Sequence, residues 1–331
     1  MTLRGYIARR IIFTIVLVLF VIVLNWLIFE VMPGEQGALL AVQGQAKHTS
    51  AQYDFYAAQF GKNKPPLDRF VEYFTSMLTF NFGKSFQNQQ PVVAQMISGG
   101  KLVNTLVLLG SSAVLSIVIG IFLGVVVSYK RKSTLDNFWV TTALTTFSLP
   151  TFWMGLSFIF IFSLSLGWFP PGGVVPSVWY ENGFPNIFQQ IITRAQYLFL
   201  PVLTLTLFQY GGYLLLTRAT MIETLGEDYI VTARAKGLKT RTILFHHAFK
   251  NASLPIVTAS ALAFGALLGG AIITETVFNY PGLGRWLFDS IGYRDFPVMQ
   301  AMFYILALGT IIANFAADLV YGVIDPRIKY Q

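Results

Sequence analysis

Cysteine is absent from the chain. Disulfides, thiolate metal sites and thiol nucleophiles are therefore excluded, and cysteine usage carries no sign of the redox compartment. Charge is scarce too. Only 11% of the 331 residues are Asp, Glu, Lys or Arg, where a soluble domain carries about 25%. Histidine occurs three times. His246 and His247 are neighbours, so on a helix they point about 100° apart and cannot share a metal. His48 is remote in sequence. No Ser/His/Asp set and no His-Glu-x-x-His helix is present, so no catalytic constellation is legible. Gly83-Lys84-Ser85 ends like a phosphate-binding loop, but Leu78 stands where that loop needs its first glycine. Ser98-Gly99-Gly100 reads as a turn for the same reason. Asn251-Ala252-Ser253 matches a glycosylation sequon, in a segment expected to be cytoplasmic.

The chain is instead rich in apolar residues, 54% of the total, with a mean hydropathy of +0.60. These values imply an integral membrane protein. The net charge of +8 would suggest nucleic acid in a soluble protein. Here the basic residues stand next to apolar runs, which fits membrane lipid and topology, with no nucleic acid partner.

A span needs roughly 20 apolar residues to cross about 30 Å of hydrocarbon. Ile11 to Met32 qualifies and follows Arg4, Arg9 and Arg10. Its length and the lack of a small-x-small site favour an uncleaved first span over a signal peptide. Residues 33–101 hold no spanning run and read as a small external subdomain. Within it, Leu67 to Phe80 has the apolar spacing of an amphipathic helix. Further spans are expected near 102–129, 138–166, 197–217, 256–274 and 298–323. Pro150, in Ser148-Leu149-Pro150, predicts a kink inside the third. The Gly/Pro-rich stretch 167–196, with Trp168, Trp179 and Tyr180, reads as an external loop. The fifth run is crowded with small residues such as Ala261, Ala263, Gly265, Gly269 and Gly270, which let helices approach closely. Residues 275–297 form a short external loop. Lys130-Arg131-Lys132, the stretch 218–250 and the tail 324–331 are basic, as is the N-terminus. The fold class is therefore an all-α membrane protein of about six spans, with both termini in the cytoplasm.

One polar stretch lies between the fourth and fifth runs: EDYIVTARAKGLKTRTILFHHAFKNASLP, residues 227–255. Gly237 stands where a left-handed residue ends a helix. Thr240 is placed to cap a second helix, which Pro255 should limit. A helix-turn-helix on the cytoplasmic membrane surface follows. It fits a docking surface for another protein, and it fits equally a solvated loop that is basic only because it faces the cytoplasm.

Three stretches sharpen that choice. ARAKGL at 233–238, with Asp228-Tyr229 and Leu254-Pro255, resembles the EAA loop of type I ABC importer permeases. In detail it is similar to the peptide/nickel branch. Val231-Thr232-Ala233 stands where the maltose-type consensus has Glu-Ala-Ala, and the gap from Gly237 to Pro255 is longer. ETVFNYPGLGRWLFDSIGYRDFPVMQ at 275–300 and DLVYGVIDPRIKY at 318–330 resemble the same branch. So do SLPTFWMG at 148–155 and LGWFPPGG at 166–173. MPGEQ at 32–36 resembles its motif after the first span, with Glu35-Gln36 in place of the usual Asp-Pro.

The resemblance implies the type I permease fold, with a core over 102–323 and a coupling loop over 218–255. It implies a heterodimer with a second permease, two ATPase subunits below and a substrate-binding protein outside, in a prokaryotic inner membrane. ATP and Mg would be bound by the ATPases, and this chain would hold no cofactor and no metal. Asp228, Tyr229, Thr232, Ala233, Arg234, Ala235, Lys236, Gly237 and Leu238 would form the coupling helix region. Tyr229, Ala233 and Leu238 would bury in a groove of the ATPase. Intramembrane polar groups are expensive and so are candidates for the path: Asn104, Ser148, Thr258, Asn314 and, at the outer end, Glu275, with Pro150 at the kink. Short peptides are the expected cargo, with nickel chelates and oligosaccharides as alternatives. A stand-alone channel or secondary carrier would need an intramembrane ionisable pair or helices broken around an ion site, and neither is read here.

Overall fold

The computed structural model describes residues 3–31 and 64–324. The segment 32–63, which contains MPGEQ at 32–36, and the tail 325–331 lie outside the described residues. So do the side chains of Thr258 and of residues 261–271, which include most of the small residues of the fifth run. Among the described residues the regular structure is helical, joined by turns and loops, apart from one isolated antiparallel bridge between Lys84 and Pro91.

Helix α1 (Leu3–Val31) is the first apolar run. Helix α2 (Pro66–Leu78) is the amphipathic helix of the outer segment, started by Pro66 in its first turn, where proline's missing N–H costs nothing. A short α3 (Val92–Ile97) leads into α4 (Lys101–Tyr129). The third run divides into α5 (Thr134–Ser148) and α6 (Thr151–Phe158), which continues as a π-helical segment Ile159–Ser165. Its two halves are bent by 102°. The expected kink at Pro150 is thus a break. Leu149 is extended, as a residue before proline prefers, and Pro150 restarts the helix.

A short α7 (Val178–Asn182) precedes α8 (Ile187–Leu225). At 39 residues α8 is far longer than the run 197–217, reaching roughly 58 Å at 1.5 Å per residue. Its first three turns come from the stretch expected to be loop. After α9 (Asp228–Ala235) the chain passes through Thr240–Thr242 and a π-helical segment Ile243–Ala248 into α10 (Phe249–Val277). Pro255 lies inside α10 and does not limit it. Pro255 is the seventh residue of α10, past the four N-terminal N–H groups that lack intrahelical partners, so the helix runs on there with one i→i−4 bond missing. The outer segment 275–297 contains α11 (Leu283–Tyr293), and α12 (Phe296–Ile324) closes the described chain.

Among the described residues, four helices are long and apolar enough to cross a membrane, or five if the bent α5–α6 pair is one span. Helix α10, 29 residues long, carries the apolar run 256–274.

The centre of the fold is the seam between α4 and α8. Ser112, Ser116, Gly120, Gly124 and Ser128 recur at every fourth position of α4, and all five are buried. A Cβ on Gly120 would lie 2.6 Å from the Tyr210 carbonyl oxygen, and one on Gly124 would lie 2.8 Å from that of Leu214. The two backbones approach this closely only because these positions lack side chains. Helix α1 packs on α12, held by Asn25 Nδ2 donating to the Gln300 carbonyl (3.0 Å) and by Arg10 against Asp318 (2.8 Å). Just after α11, Asp295 is buried and accepts the Ser85 hydroxyl and the N–H groups of Phe86 (2.9 Å) and Gln87 (3.3 Å). Ser85 belongs to the Gly83-Lys84-Ser85 turn, which here ties the outer segment to the end of α11.

Candidate functional site

Helix α9 is built by its ends. Asp228 lies in its first turn and Arg234 in its last, each complementing the helix dipole. At the far end Gly237 N–H donates to the Arg234 carbonyl (2.9 Å) and Leu238 N–H reaches that of Ala233 (3.4 Å). This pair of bonds is a Schellman stop, which requires a left-handed residue. Gly237 has φ +71° and supplies it. The next helix starts one residue earlier than expected, with Lys239 before its first residue and Thr240 already inside. No side-chain cap is formed there.

The inner face of α9 rests on the molecule's own core. Ile230 and Ala233 are buried with Val125, Met221, Ile243 and Ala248. Ala233 therefore faces inward, and this burial takes it out of the group expected to enter a partner's groove. Tyr229 is partly exposed, and its hydroxyl accepts from Asn251 Nδ2 at 2.7 Å, joining α9 to α10. The outer face carries Asp228, Thr232, Arg234, Ala235, Lys236 and Leu238, all exposed. Val231 is 59% exposed among them. Its outward position follows from Ile230 and Ala233 pointing in, a register the sequence motif alone did not single out.

The platform beneath α9 is pinned by Asp136 and Arg218. Asp136 is buried and accepts from Arg218 Nε and Nη2, both at 2.7 Å, and from Lys132 N–H at 2.9 Å. Ser133 caps α5, its hydroxyl accepting from the Asp136 N–H. The basic turn 130–132 is thereby fixed to α8. In the sequence the turn 130–132 and the stretch from 218 serve only as topology signals, and Ser133 and Asp136 are not singled out. A lone acid three residues after a capping serine was the available clue.

Beside α9 lies an open groove of about 780 Å³. The end of α4 and its loop contribute Tyr129 and Arg131, α8 contributes Leu225, and α9 with its glycine stop contributes Arg234 and Leu238.

The path candidates fall into separate places. Asn104 Nδ2 donates to the Pro281 carbonyl (2.9 Å). Glu275 is fully buried; its Oε1 accepts from Thr105 Oγ1 (2.6 Å) and its Oε2 from Arg285 N–H (2.9 Å). Thr105 Oγ1 in turn accepts from Leu283 N–H (2.8 Å). Gly282 leaves no room for a Cβ, which would run into the Glu275 carboxylate. Asn104, Thr105 and Glu275 together fasten the turn 278–285 to the head of α4. The adjoining Tyr280 is buried, and burial pushes its phenol up to about 12. Ser148 is exposed at the α5–α6 break, with its hydroxyl returned to the Leu144 carbonyl (2.7 Å). Pro150 forms the break itself. Asn314 is exposed on α12. The Thr258 side chain lies outside the described residues. Among the described residues no group of three or more His, Asp or Glu side chains is placed to hold a metal ion.

The family model for binding-protein-dependent transport system inner membrane components matches residues 116–330. The chain is 34% identical to the oligopeptide transport system permease protein AppB of Bacillus subtilis (strain 168), over 99% of this chain and 100% of that one. It is 32% identical to the di/tripeptide transport system permease protein DppB of Pseudomonas aeruginosa (strain UCBPP-PA14), over 99% of each. It is also 32% identical to the dipeptide transport system permease protein DppB of Escherichia coli (strain K12), over 98% of this chain and 99% of that one.

Proposed function

The chain belongs to the inner-membrane components of binding-protein-dependent transport systems, and from that membership we propose that it forms half of the translocation path of an ATP-driven peptide importer. The names of its relatives, oligopeptide and dipeptide permeases over nearly their whole length, support peptide as the cargo. A second permease completes the path, two ATPase subunits dock on the cytoplasmic side with their ATP and Mg, and an external binding protein delivers the peptide. This chain contributes no catalytic group. It lies in the inner membrane with both termini in the cytoplasm.

The observation that carries this reading is the construction of α9. It is a short helix stopped by Gly237, seated on the core through Ile230 and Ala233, and exposed along Val231, Arg234, Lys236 and Leu238. An element held this firmly transmits a push as a rigid body, which a loose loop does not. ATP binding draws the ATPases together, α9 follows, and the spans exchange between two packings. The break at Pro150 gives the third span a place to bend, with Ser148 and Asn314 offered to the path or to the second permease.

The test is uptake and ATP hydrolysis measured together in vesicles holding the assembled transporter. Deletion of 233–238, or Gly237→Arg, is expected to leave the chain in the membrane while peptide uptake stops. Uptake that stays coupled to hydrolysis after the deletion refutes the docking role of α9.

A further inference from the structure

The groove beside α9 has a lining of two kinds. Leu225, half-buried, and Leu238, exposed, give it an apolar floor, while Arg131 and Arg234 bring two guanidinium groups to it from different elements. Both arginines are exposed, and among the described residues neither forms a salt bridge. Asp136 lies within reach of Arg131's field, but it is already held by Arg218. Two cations without counter-ions thus stand over an apolar surface.

We infer that this groove binds an anionic phospholipid, with the headgroup phosphate between Arg131 and Arg234 and an acyl chain along the floor. Its volume of about 780 Å³ falls within the roughly 300–1,000 Å³ of small-molecule sites. Guanidinium groups suit phosphate because their planar N–H fork matches its oxygens. The place is right as well: Tyr129, half exposed, ends α4 at the membrane boundary beside Lys130-Arg131-Lys132. Basic pockets between membrane helices on the cytoplasmic side attract anionic headgroups. A soluble anion would leave the apolar floor uncovered, whereas an amphiphile covers both parts of the lining. The bound phosphate then bridges the fixed 130–132 turn to the moving α9, so anionic lipid becomes a tether on the coupling helix. This inference rests on the inward orientation proposed above, and lipid retention is read without any ATPase present.

The experiment is native mass spectrometry of the full chain in detergent, titrated with phosphatidylglycerol or with phosphatidylcholine. Phosphatidylglycerol is expected to be retained and phosphatidylcholine not. Arg131→Gln should weaken that retention about fivefold, the effect of one basic residue near an anionic surface. Arg131→Lys, which keeps the charge and loses the fork, should restore only part of it, and Lys132→Gln, outside the groove, should change little. Thermal unfolding midpoints in phosphatidylcholine check that each variant is folded. Equal retention of both lipids, or retention unchanged by Arg131→Gln, overturns the inference. So does displacement of the lipid by excess inorganic phosphate, which would make a free anion the ligand. A negative lipid result leaves the docking proposal standing, because that proposal is judged by uptake and hydrolysis.

Discussion

Arg218 closes a two-pronged ion pair on Asp136, with Nε and Nη2 each 2.7 Å from a different carboxylate oxygen. The Asp136 side chain is 2% exposed and that of Arg218 27%. A carboxylate this buried depends on its cation, because removing one partner leaves an uncompensated charge. Arg218→Met should therefore destabilise the chain by about 2–3 kcal/mol, below the fully buried range because the arginine is partly wet. Adding Asp136→Leu should recover part of that loss. Thermal unfolding of the purified chain in detergent reads both effects. If the single and double variants match the wild type, the pair does not hold the 130–132 turn.

The α4–α8 seam makes a second expectation. Gly120→Ala places a methyl group 2.6 Å from the Tyr210 carbonyl, with no flexible neighbour to yield. Overpacking of this kind costs about 1–3 kcal/mol. Gly110→Ala, on the same helix with nothing within 4 Å, should cost nothing. Comparing their unfolding midpoints separates seam packing from a general effect of glycine in a helix.

At the outer end, Thr105 serves two partners. Its hydroxyl donates to Glu275 and accepts from Leu283 N–H. Thr105→Val keeps the shape and takes this partner from Leu283 N–H and from Glu275 Oε1, while Oε2 keeps Arg285 N–H, at about 1–3 kcal/mol in total. Thr105→Ser keeps the hydroxyl and should lose less than half as much. Hydrogen exchange at Leu283 reports the bond directly: faster exchange is expected in the valine variant and little change in the serine variant.

Much of this molecule was legible before any coordinates. The long apolar runs marked the helices long enough to cross a membrane, four among the described residues or five with the bent pair, because a helix crossing lipid has little choice of residue. Gly237 announced its helix stop, since an αL position at a helix end selects glycine. Other features depended on the fold. Pro150 signalled a disturbance, but the 102° bend comes from how two short helices pack on either side of it. Pro255 looked like a boundary and is interior, because the preceding turns run on as helix. The amphipathic outer helix was readable from its period, whereas its clasp through Ser85 and Asp295 joins residues 210 positions apart. Asn104 and Glu275 stood out as costly polar groups near the path. Their hydrogen bonds are spent inside the chain, on the turn after α10. The inward turn of Ala233 depends on the register of α9 on its platform, which no local motif encodes.

The absence of native cysteine permits one direct test of what α9 faces. A single cysteine at Val231, on the exposed face of α9, is labelled in the assembled transporter with a short reagent that has one thiol-reactive end and one photoreactive end, and then illuminated. Tyr180→Cys, 70% exposed on α7 at the opposite end of the spans, is the control. Val231→Cys should give an adduct with an ATPase subunit, and the control should give none. An adduct at Tyr180 with the ATPase, or none at Val231 in a transporter that still hydrolyses ATP and imports, would contradict α9 as the point where the motor takes hold.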